Sequence, residues 1–349
     1  MTSLFPFARA GLFRLDPERA HELTLASLQR LPVPAAPAAD PILETKVAGL
    51  GFPNPIGLAA GFDKNALVPA KMVRLGFGFV EVGSLTPRPQ PGNPRPRIFR
   101  LPEDRAVVNR LGFNNDGIDK ALKRLRRLRF SHGAGRIGIN VGANKDSEDR
   151  MADYEHGVRL AAPVADYLTV NISSPNTPGL RELQSKDALA ELLARSLAAR
   201  EGRAVPMFVK VAPDLTDKDI ADIAEVVLAS GIDGMICTNT TISRPDSLRS
   251  RAKDEQGGLS GQPLKPLALQ TLRAFRQAVG AELPLIGVGG IATADDAYER
   301  IRAGASLVQL YTAMVYEGPG LPKRLAKGLA RHLRADGFAN VAQAVGADA

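Results

Sequence analysis

Two lysines stand in surroundings that rarely hold a charge. Lys210 interrupts the apolar run MFVKVAP (207–213), and Lys64 follows AAGFD (59–63). An ammonium among aliphatic side chains is either neutralised by a carboxylate on a neighbouring strand or kept as a working cation. In the second case it is a Schiff-base nucleophile or a fixed positive charge facing negative charge that develops in a reaction. Asparagines gather in the same kind of place: Asn140 in RIGINVGAN (136–144), Asn171 and Asn176 in NISSPNTPGLR (171–181), Asn239 in CTNTT (237–241), and Asn109 and Asn114 in NRLGFNN (109–115). Asn offers a donor and an acceptor without charge, so such a set suits a planar ligand edged with amide and carbonyl groups. Any one of them alone is also at home in a turn. Ser174 lies between Asn171 and Asn176, beside Pro175. The glycines of GVGGI (287–291) and GGLSG (257–261) can offer backbone N–H groups to a phosphate, or simply close tight turns. No serine sits in GxSxG, and the four histidines (His21, His132, His156, His332) show no triad pattern. HExxH and DxDxDG signatures are absent too, so neither a hydrolase nor a catalytic metal is expected.

These residues need a scaffold that brings them to one rim. Eight apolar runs recur: 55–61, 77–86, 136–144, 167–176, 207–213, 234–240, 284–291 and 306–314. They are continuous rather than alternating, as strands of a parallel sheet are when both faces are covered. Capped amphipathic segments lie between them, for example after Thr216 and Thr293. The pattern predicts an α/β fold, a (β/α)8 TIM barrel. An open doubly wound sheet would want GxGxxG after its first strand, and GLAAGFDKN is not that. A barrel carries its site at the C-terminal strand ends, which here are Lys64, Ser84, Asn140, Asn171, Ser174, Asn176, Lys210, Thr238, Asn239, Gly289, Gly290, Tyr311 and Thr312. Loops after the seventh and eighth strands are the usual phosphate site of barrels, which favours a phosphorylated cofactor.

The chain has 349 residues, 44% hydrophobic and 23% charged, enough to bury a core without disulfides, and its one cysteine, Cys237, excludes any intrachain disulfide. Lys and Arg exceed Asp and Glu by 45 − 37 = 8, which favours anionic partners. No run of about 20 apolar residues is available for a membrane span. Ahead of the barrel, residues 1–40 read as a separate module: two short helices, the second started by Asp16 and Pro17, then the proline-rich linker LPVPAAPAADP (31–41). The barrel takes 41–349. Leu4, Phe5, Phe7, Leu12 and Phe13 with Arg9 and Arg14 among them suit a helix lying in a headgroup layer or packed on the barrel. Six Lys/Arg between 120 and 129, in DKALKRLRRLRFSHG (119–133), read as a solvated helix face, with no module or aromatic interleaving for nucleic acid.

In order along the chain, GLAAGFDKN, GSLTPRPQPGNPRPRIFRLPED, NRLGFNN, NISSPNTPGLR, VKVAPDL, CTNTT, GGLSG and GVGGI resemble the quinone-reducing, membrane-associated class of the dihydroorotate dehydrogenase family, over about residues 16–346. The resemblance implies oxidation of dihydroorotate to orotate in pyrimidine synthesis, with FMN as cofactor and a respiratory quinone as acceptor. It implies FMN contacts from Ala60, Gly61, Lys64, Ser84, Asn140, Asn171, Lys210, Thr238, Gly261, Gly290, Tyr311 and Thr312. Substrate would meet Lys64, Asn109, Arg110, Leu111, Gly112, Phe113, Asn114, Asn171, Asn176, Asn239 and Thr240. Ser174 would take the C5 proton while the C6 hydride goes to flavin N5, and a hydroxyl or water relay, with Ser84 or Thr177 as members, would carry the proton onward. Soluble relatives use cysteine as base and lack the N-terminal helices. Ser174 and the extension therefore both imply the quinone class, with His21 and Arg100 flanking the quinone's route. A monomer on the cytoplasmic face of a bacterial inner membrane is the expectation. Two readings from other classes remain open at this point: a Schiff-base aldolase using Lys210, and a basic membrane- or RNA-binding scaffold.

Overall fold

The computed structural model describes residues 5–128 and 135–349. Eight parallel strands close into a barrel: β1 (Ile56–Leu58), β2 (Phe79–Leu85), β3 (Arg136–Val141), β4 (Tyr167–Asn171), β5 (Met207–Val211), β6 (Gly234–Cys237), β7 (Leu285–Val288) and β8 (Leu307–Leu310). Each lies inside one of the eight apolar runs. Their order around the barrel follows the chain, with β8 pairing back onto β1 through Val308↔Ile56 and Leu310↔Leu58. The helices after β5 and β7 begin at Thr216 and Thr293 in capping boxes, closed by Asp219 and Asp296.

Alternation along the strands stacks the interior in layers. Phe79, Tyr167 and Phe208 fill the bottom, and glycines on neighbouring strands make room for their rings. A Cβ at Gly57, Gly138 or Gly234 would lie 2.2, 2.0 or 2.6 Å from those three rings respectively. A hairpin of Thr45–Val47 and Leu50–Phe52 seals this end with Phe52 and Val47. Two residues further along each strand the layer turns polar: Glu81, Asn140, Thr169, Lys210 and Gln309 are all buried. The site opens above it.

Three features were not legible as elements in the sequence. The hairpin is one. A three-stranded antiparallel sheet above the barrel is another, made of Ile98–Leu101, Ala106–Asn109 and Gly258–Gly261. GGLSG is thus a strand of this cap sheet, registered on Ala106–Asn109. The third is the path of residues 31–40. They form no helix or strand, but they are pinned to the barrel by Ala36 N–H to the Arg74 carbonyl (2.8 Å) and Arg74 Nε to the Val33 carbonyl (2.7 Å).

The extension folds as two helices, α1 (Phe5–Phe13) and α2 (Pro17–Arg30), with Asp16 capping the second by accepting from the Glu18 and Arg19 N–H groups. Leu4, the basic Arg129, and His132 lie outside the described residues. The helix Ile118–Leu128 buries Ala121, Leu122 and Leu125 and exposes Lys120, Lys123, Arg126 and Arg127, as a solvated face does.

Candidate active site

One cavity of about 700 Å³ runs from the polar floor of the barrel to the space between α1 and α2. Lys210 reaches it from β5, where it is registered between Asn171 on β4 and Ile236 on β6. It is 5% exposed, and no hydrogen bond or ion pair within 4 Å engages it among the described residues. The carboxylate on an adjacent strand that would neutralise it is therefore missing. Burial pushes its pKa down, and the negative charge of Glu81, across the barrel on β2, works against that shift. Glu81 itself accepts four hydrogen bonds: Asn140 Nδ2 at 2.7 Å, Gln309 Nε2 at 2.9 Å, and the Tyr167 and Thr169 hydroxyls at 3.1 Å each. Sequence reading passed over Glu81, although FVEVGSL shows the same signal that drew attention to Lys210, a charge inside an apolar strand.

Above this layer the amides form a relay of fixed orientation. Asn171 Nδ2 donates to Ser84 Oγ (2.8 Å) and Asn140 Oδ1 (3.2 Å), and the Ser84 hydroxyl also donates to Asn140 Oδ1. Asn171 Oδ1 accepts from the Ser173 hydroxyl (2.8 Å), which accepts in turn from Asn239 Nδ2 (2.9 Å). Arg181 ties the surrounding loops together by donating to the Ser173 carbonyl (3.1 Å), the Thr240 carbonyl (3.1 Å) and Asp214 (3.0 Å). Ser173, Arg181 and Asp214 carried no signal in the sequence beyond their place in or near the NISSPNTPGLR and VKVAPDL stretches.

Lys64 donates to the Gly61 carbonyl (2.7 Å) at the cavity wall. Burial lowers its pKa to about 8, against the attraction of Glu18 and Asp63 and with help from Arg97. Ser174 is 5% exposed and faces the cavity, its Oγ accepting from the Asn176 N–H at 3.2 Å. Thr177, three residues on, has a buried hydroxyl with no partner among the described residues. Asn176 Nδ2 donates to Asn109 Oδ1 at 3.3 Å, joining the two loops that close over the site.

Most of the residues singled out in the sequence meet at this cavity. Ala60, Gly61, Lys64, Ser84, Asn171, Ser174, Lys210, Thr238, Gly261, Gly290, Tyr311 and Thr312 line it, as do Asn109, Leu111, Gly112, Phe113, Asn176, Asn239 and Thr240. Asn140 lies one layer below, fully buried. Arg110 points away from the cavity, donating to Glu255 at 2.8 Å and lying 4.5 Å over the Phe99 ring. Asn114 is not part of the lining, and its Oδ1 is buried without a partner among the described residues. Cys237 is buried, with its thiol pushed up to about 12, consistent with a packing role.

The outer half of the cavity is apolar, with Phe5, Leu12 and Leu28 on the helices and Leu31 just beyond α2 facing Phe62, Tyr311 and Met314. His21 stands at its neck, its ring edge-on to Phe62 with centroids 5.2 Å apart. Burial and the nearby Lys64 hold its pKa near 3, while a hydrogen bond to the Phe62 backbone and the charge of Glu18 oppose the shift, so the ring is neutral at physiological pH. Arg100, from the cap sheet, donates to the Leu12 (3.1 Å) and Leu15 carbonyls and lies 4.6 Å over the Phe13 ring. It thereby holds the end of α1 against the barrel.

A parallel eight-stranded barrel with an unpaired buried cation, a polyamide floor and an apolar entrance defines an enzyme built for one polar and one lipophilic reactant. The sequence profile of dihydroorotate dehydrogenase matches residues 42–333. The dihydroorotate dehydrogenase (quinone) of Erythrobacter litoralis is 59% identical over 345 residues, covering 99% of this chain and all of that one. That of Novosphingobium aromaticivorans is 56% identical, covering 99% of both. Among solved structures, the dihydroorotate dehydrogenase of Eimeria tenella in complex with ferulenol superposes with a TM-score of 0.92 at 43% identity, over 95% of this chain and 96% of that one. The chain belongs to the dihydroorotate dehydrogenase family.

Proposed function

We propose that the chain oxidises (S)-dihydroorotate to orotate in pyrimidine synthesis and delivers the electrons to a respiratory quinone, with FMN as its resident cofactor. The observation that carries this reading is the single cavity joining a polar, cationic floor to an apolar entrance, since two reactants of opposite polarity must reach one cofactor.

The residues fit that cofactor. Lys210 is an unpaired buried cation suited to the pyrimidine edge of a flavin, and Ser84, Asn140, Asn171 and Thr238 offer hydroxyl and amide groups around it. Ala60, Gly61, Gly261, Gly290, Tyr311 and Thr312 provide the rest, the last three at the rim where barrels hold phosphate, with Gly261 of the cap sheet beside Thr312. Bound FMN supplies hydride acceptance and onward electron transfer. The chain supplies the remainder. Lys64 binds the substrate carboxylate, and Asn109, Asn171, Asn176, Asn239 and Thr240 match the amide edges of the ring. The backbone of Arg110, Leu111, Gly112, Phe113 and Asn114 covers it. Ser174 removes the C5 proton, and the unpartnered Thr177 hydroxyl, or Ser84, begins the path by which that proton leaves.

Residues 1–40 form the access module. Phe7, Leu23 and Leu31 are exposed on or beside the two helices at 78, 45 and 61%, a face suited to the headgroup layer of the cytoplasmic leaflet of a bacterial inner membrane. No helix among the described residues is long and apolar enough to cross it. The enzyme works there as a monomer. His21, neutral, and Arg100 flank the quinone. The test is steady-state reduction of a lipophilic quinone by dihydroorotate in detergent. Turnover that requires both reactants supports the reading. Dihydroorotate oxidation coupled only to a soluble acceptor such as fumarate or NAD contradicts it.

A further inference from the structure

The module that admits the quinone is joined to the loop that covers the substrate by a buried ion pair. Glu18 of α2 and Arg97, which precedes the cap sheet, are each 6% exposed. Arg97 Nε donates to both Glu18 oxygens (3.2 and 3.0 Å) and Nη2 to Oε1 at 2.7 Å. Its third nitrogen, Nη1, donates to the Pro91 (2.6 Å) and Asn93 (2.7 Å) carbonyls. All three nitrogens are thus committed, one side to the helix and the other to residues 88–97.

That segment contains Pro89, Pro91, Pro94 and Pro96 and forms no helix or strand. It cannot hold its shape through its own backbone bonds, because proline lacks the N–H. Yet the substrate loop is laid upon it. Asn93 N–H donates to the Leu111 carbonyl (3.0 Å), and Asn93 Nδ2 to the Arg110 (3.0 Å) and Asn176 (3.2 Å) carbonyls. Gln90 Nε2 donates to the Gly112 (3.1 Å) and Phe113 (3.2 Å) carbonyls. At Gly92 (φ +79°) the packing leaves no space for a side chain, since a Cβ would lie 2.3 Å from the Leu111 carbonyl and 2.7 Å from Arg97 Nη1. A shift of Arg97 therefore moves the backbone of both loops that carry Asn109 and Asn176.

We propose that Glu18 and Arg97 are positioning residues for dihydroorotate binding, so that docking of the N-terminal helices sets substrate affinity as well as quinone access. A device for docking alone has no need of the charges, because an apolar pair of similar volume holds a helix as well or better. What the pair adds is the direction of Arg97. The inference rests on the assignment of residues 109–114 and 176 to the substrate in the proposed function.

The experiment measures two quantities on purified holoenzyme: the Kd of orotate, from the absorption change of the bound cofactor, and the dihydroorotate dependence of anaerobic cofactor reduction in a stopped-flow instrument. Wild-type protein that neither binds orotate nor is reduced by dihydroorotate refutes the proposed function itself, before any variant is compared. With wild type active, Glu18→Gln is expected to weaken orotate about tenfold, the loss of roughly one charged hydrogen-bond set, and to raise half-saturation by dihydroorotate equally while the limiting reduction rate stays within about twofold. Arg95→Ala, which removes the exposed second partner of Glu18 together with the surface pair to Glu22, leaves both values within about twofold, as surface ion pairs do. An orotate Kd unchanged in Glu18→Gln, with only quinone turnover affected, overturns the proposal. If Glu18→Gln does not yield folded holoenzyme, Asn93→Ala decides, since it cuts the next step of the connection, from residues 88–97 to the Arg110 and Asn176 carbonyls, without touching α2. Its orotate Kd rises if the proposal holds, and an unchanged value overturns it.

Discussion

Replacing Glu81 tests whether the barrel's polar layer is built around its charge or its shape. In Glu81→Leu four groups lose the carboxylate as acceptor: Asn140 Nδ2, Gln309 Nε2 and the Tyr167 and Thr169 hydroxyls. A buried donor without a partner costs about 1–3 kcal/mol. The two hydroxyls can rotate in search of another acceptor and Gln309 Nε2 keeps the Tyr167 hydroxyl at 3.4 Å, so Asn140 Nδ2 sets a loss of about 1–3 kcal/mol, a sizeable part of the roughly 5–15 kcal/mol that holds a domain folded. Glu81→Gln behaves differently. Its oxygen still accepts from Asn140 Nδ2, and its new NH2 group, beside Gln309 and the Tyr167 and Thr169 hydroxyls, can donate to a flipped Gln309 amide oxygen and to one hydroxyl, so part of the network that leucine removes is kept. That variant should be more stable than the Leu variant by about 1 kcal/mol or more. Both variants remove the negative charge that supports Lys210. Urea unfolding followed by circular dichroism, with cofactor saturating, measures the difference. A Leu variant as stable as the Gln variant would refute the claim that these hydrogen bonds stabilise the layer.

Three further outcomes follow from the same geometry. Ser174→Ala should retain the cofactor and bind orotate within about threefold of wild type, yet lose cofactor reduction by dihydroorotate by at least about a hundredfold, as removal of a general base does, and stopped-flow reduction reads it directly. Lys64 carries a pKa lowered to about 8 by burial, so its ammonium form, which the orotate carboxylate needs, prevails below pH 8 and is lost above it. Orotate Kd measured from pH 6 to 9.5 should be flat on the acid side and rise toward tenfold per unit on the alkaline side. Lys64→Met abolishes that rise, and a flat wild-type profile contradicts the assignment. Phe7→Glu places a charge on the exposed face of α1 and should reduce co-sedimentation with anionic lipid vesicles severalfold without changing cofactor reduction, whereas undiminished sedimentation places the membrane contact elsewhere.

The barrel was readable because each strand is covered on both faces and so writes a continuous apolar run. All eight strands fall inside such runs, and the Asp16, Thr216 and Thr293 caps form as their spacing indicates. The cap sheet was not readable, because its strands are only four residues long and Gly258–Gly261 contains two glycines, which weaken any strand pattern. Lys210, Ser174 and the rim asparagines announced themselves through residue type and position at strand ends. The direction of the Arg110 side chain was not readable: the residue belongs to the loop over the site, but its side chain finds Glu255 and Phe99 on the outer side, a pairing that only the fold creates. Glu81 stood in plain view as a charge in an apolar strand, but its partners, and the Glu18–Arg97 pair, were hidden for the same reason. The partners are 59–228 and 79 residues away in sequence, so no spacing rule connects them.

The most direct test of the central claim is an absorption spectrum of the purified protein, recorded before and after anaerobic addition of dihydroorotate. The expected result is a bound flavin spectrum that bleaches on addition and recovers when a lipophilic quinone is supplied. A flavin that stays oxidised, or folded protein that binds none when FMN is offered, would contradict it.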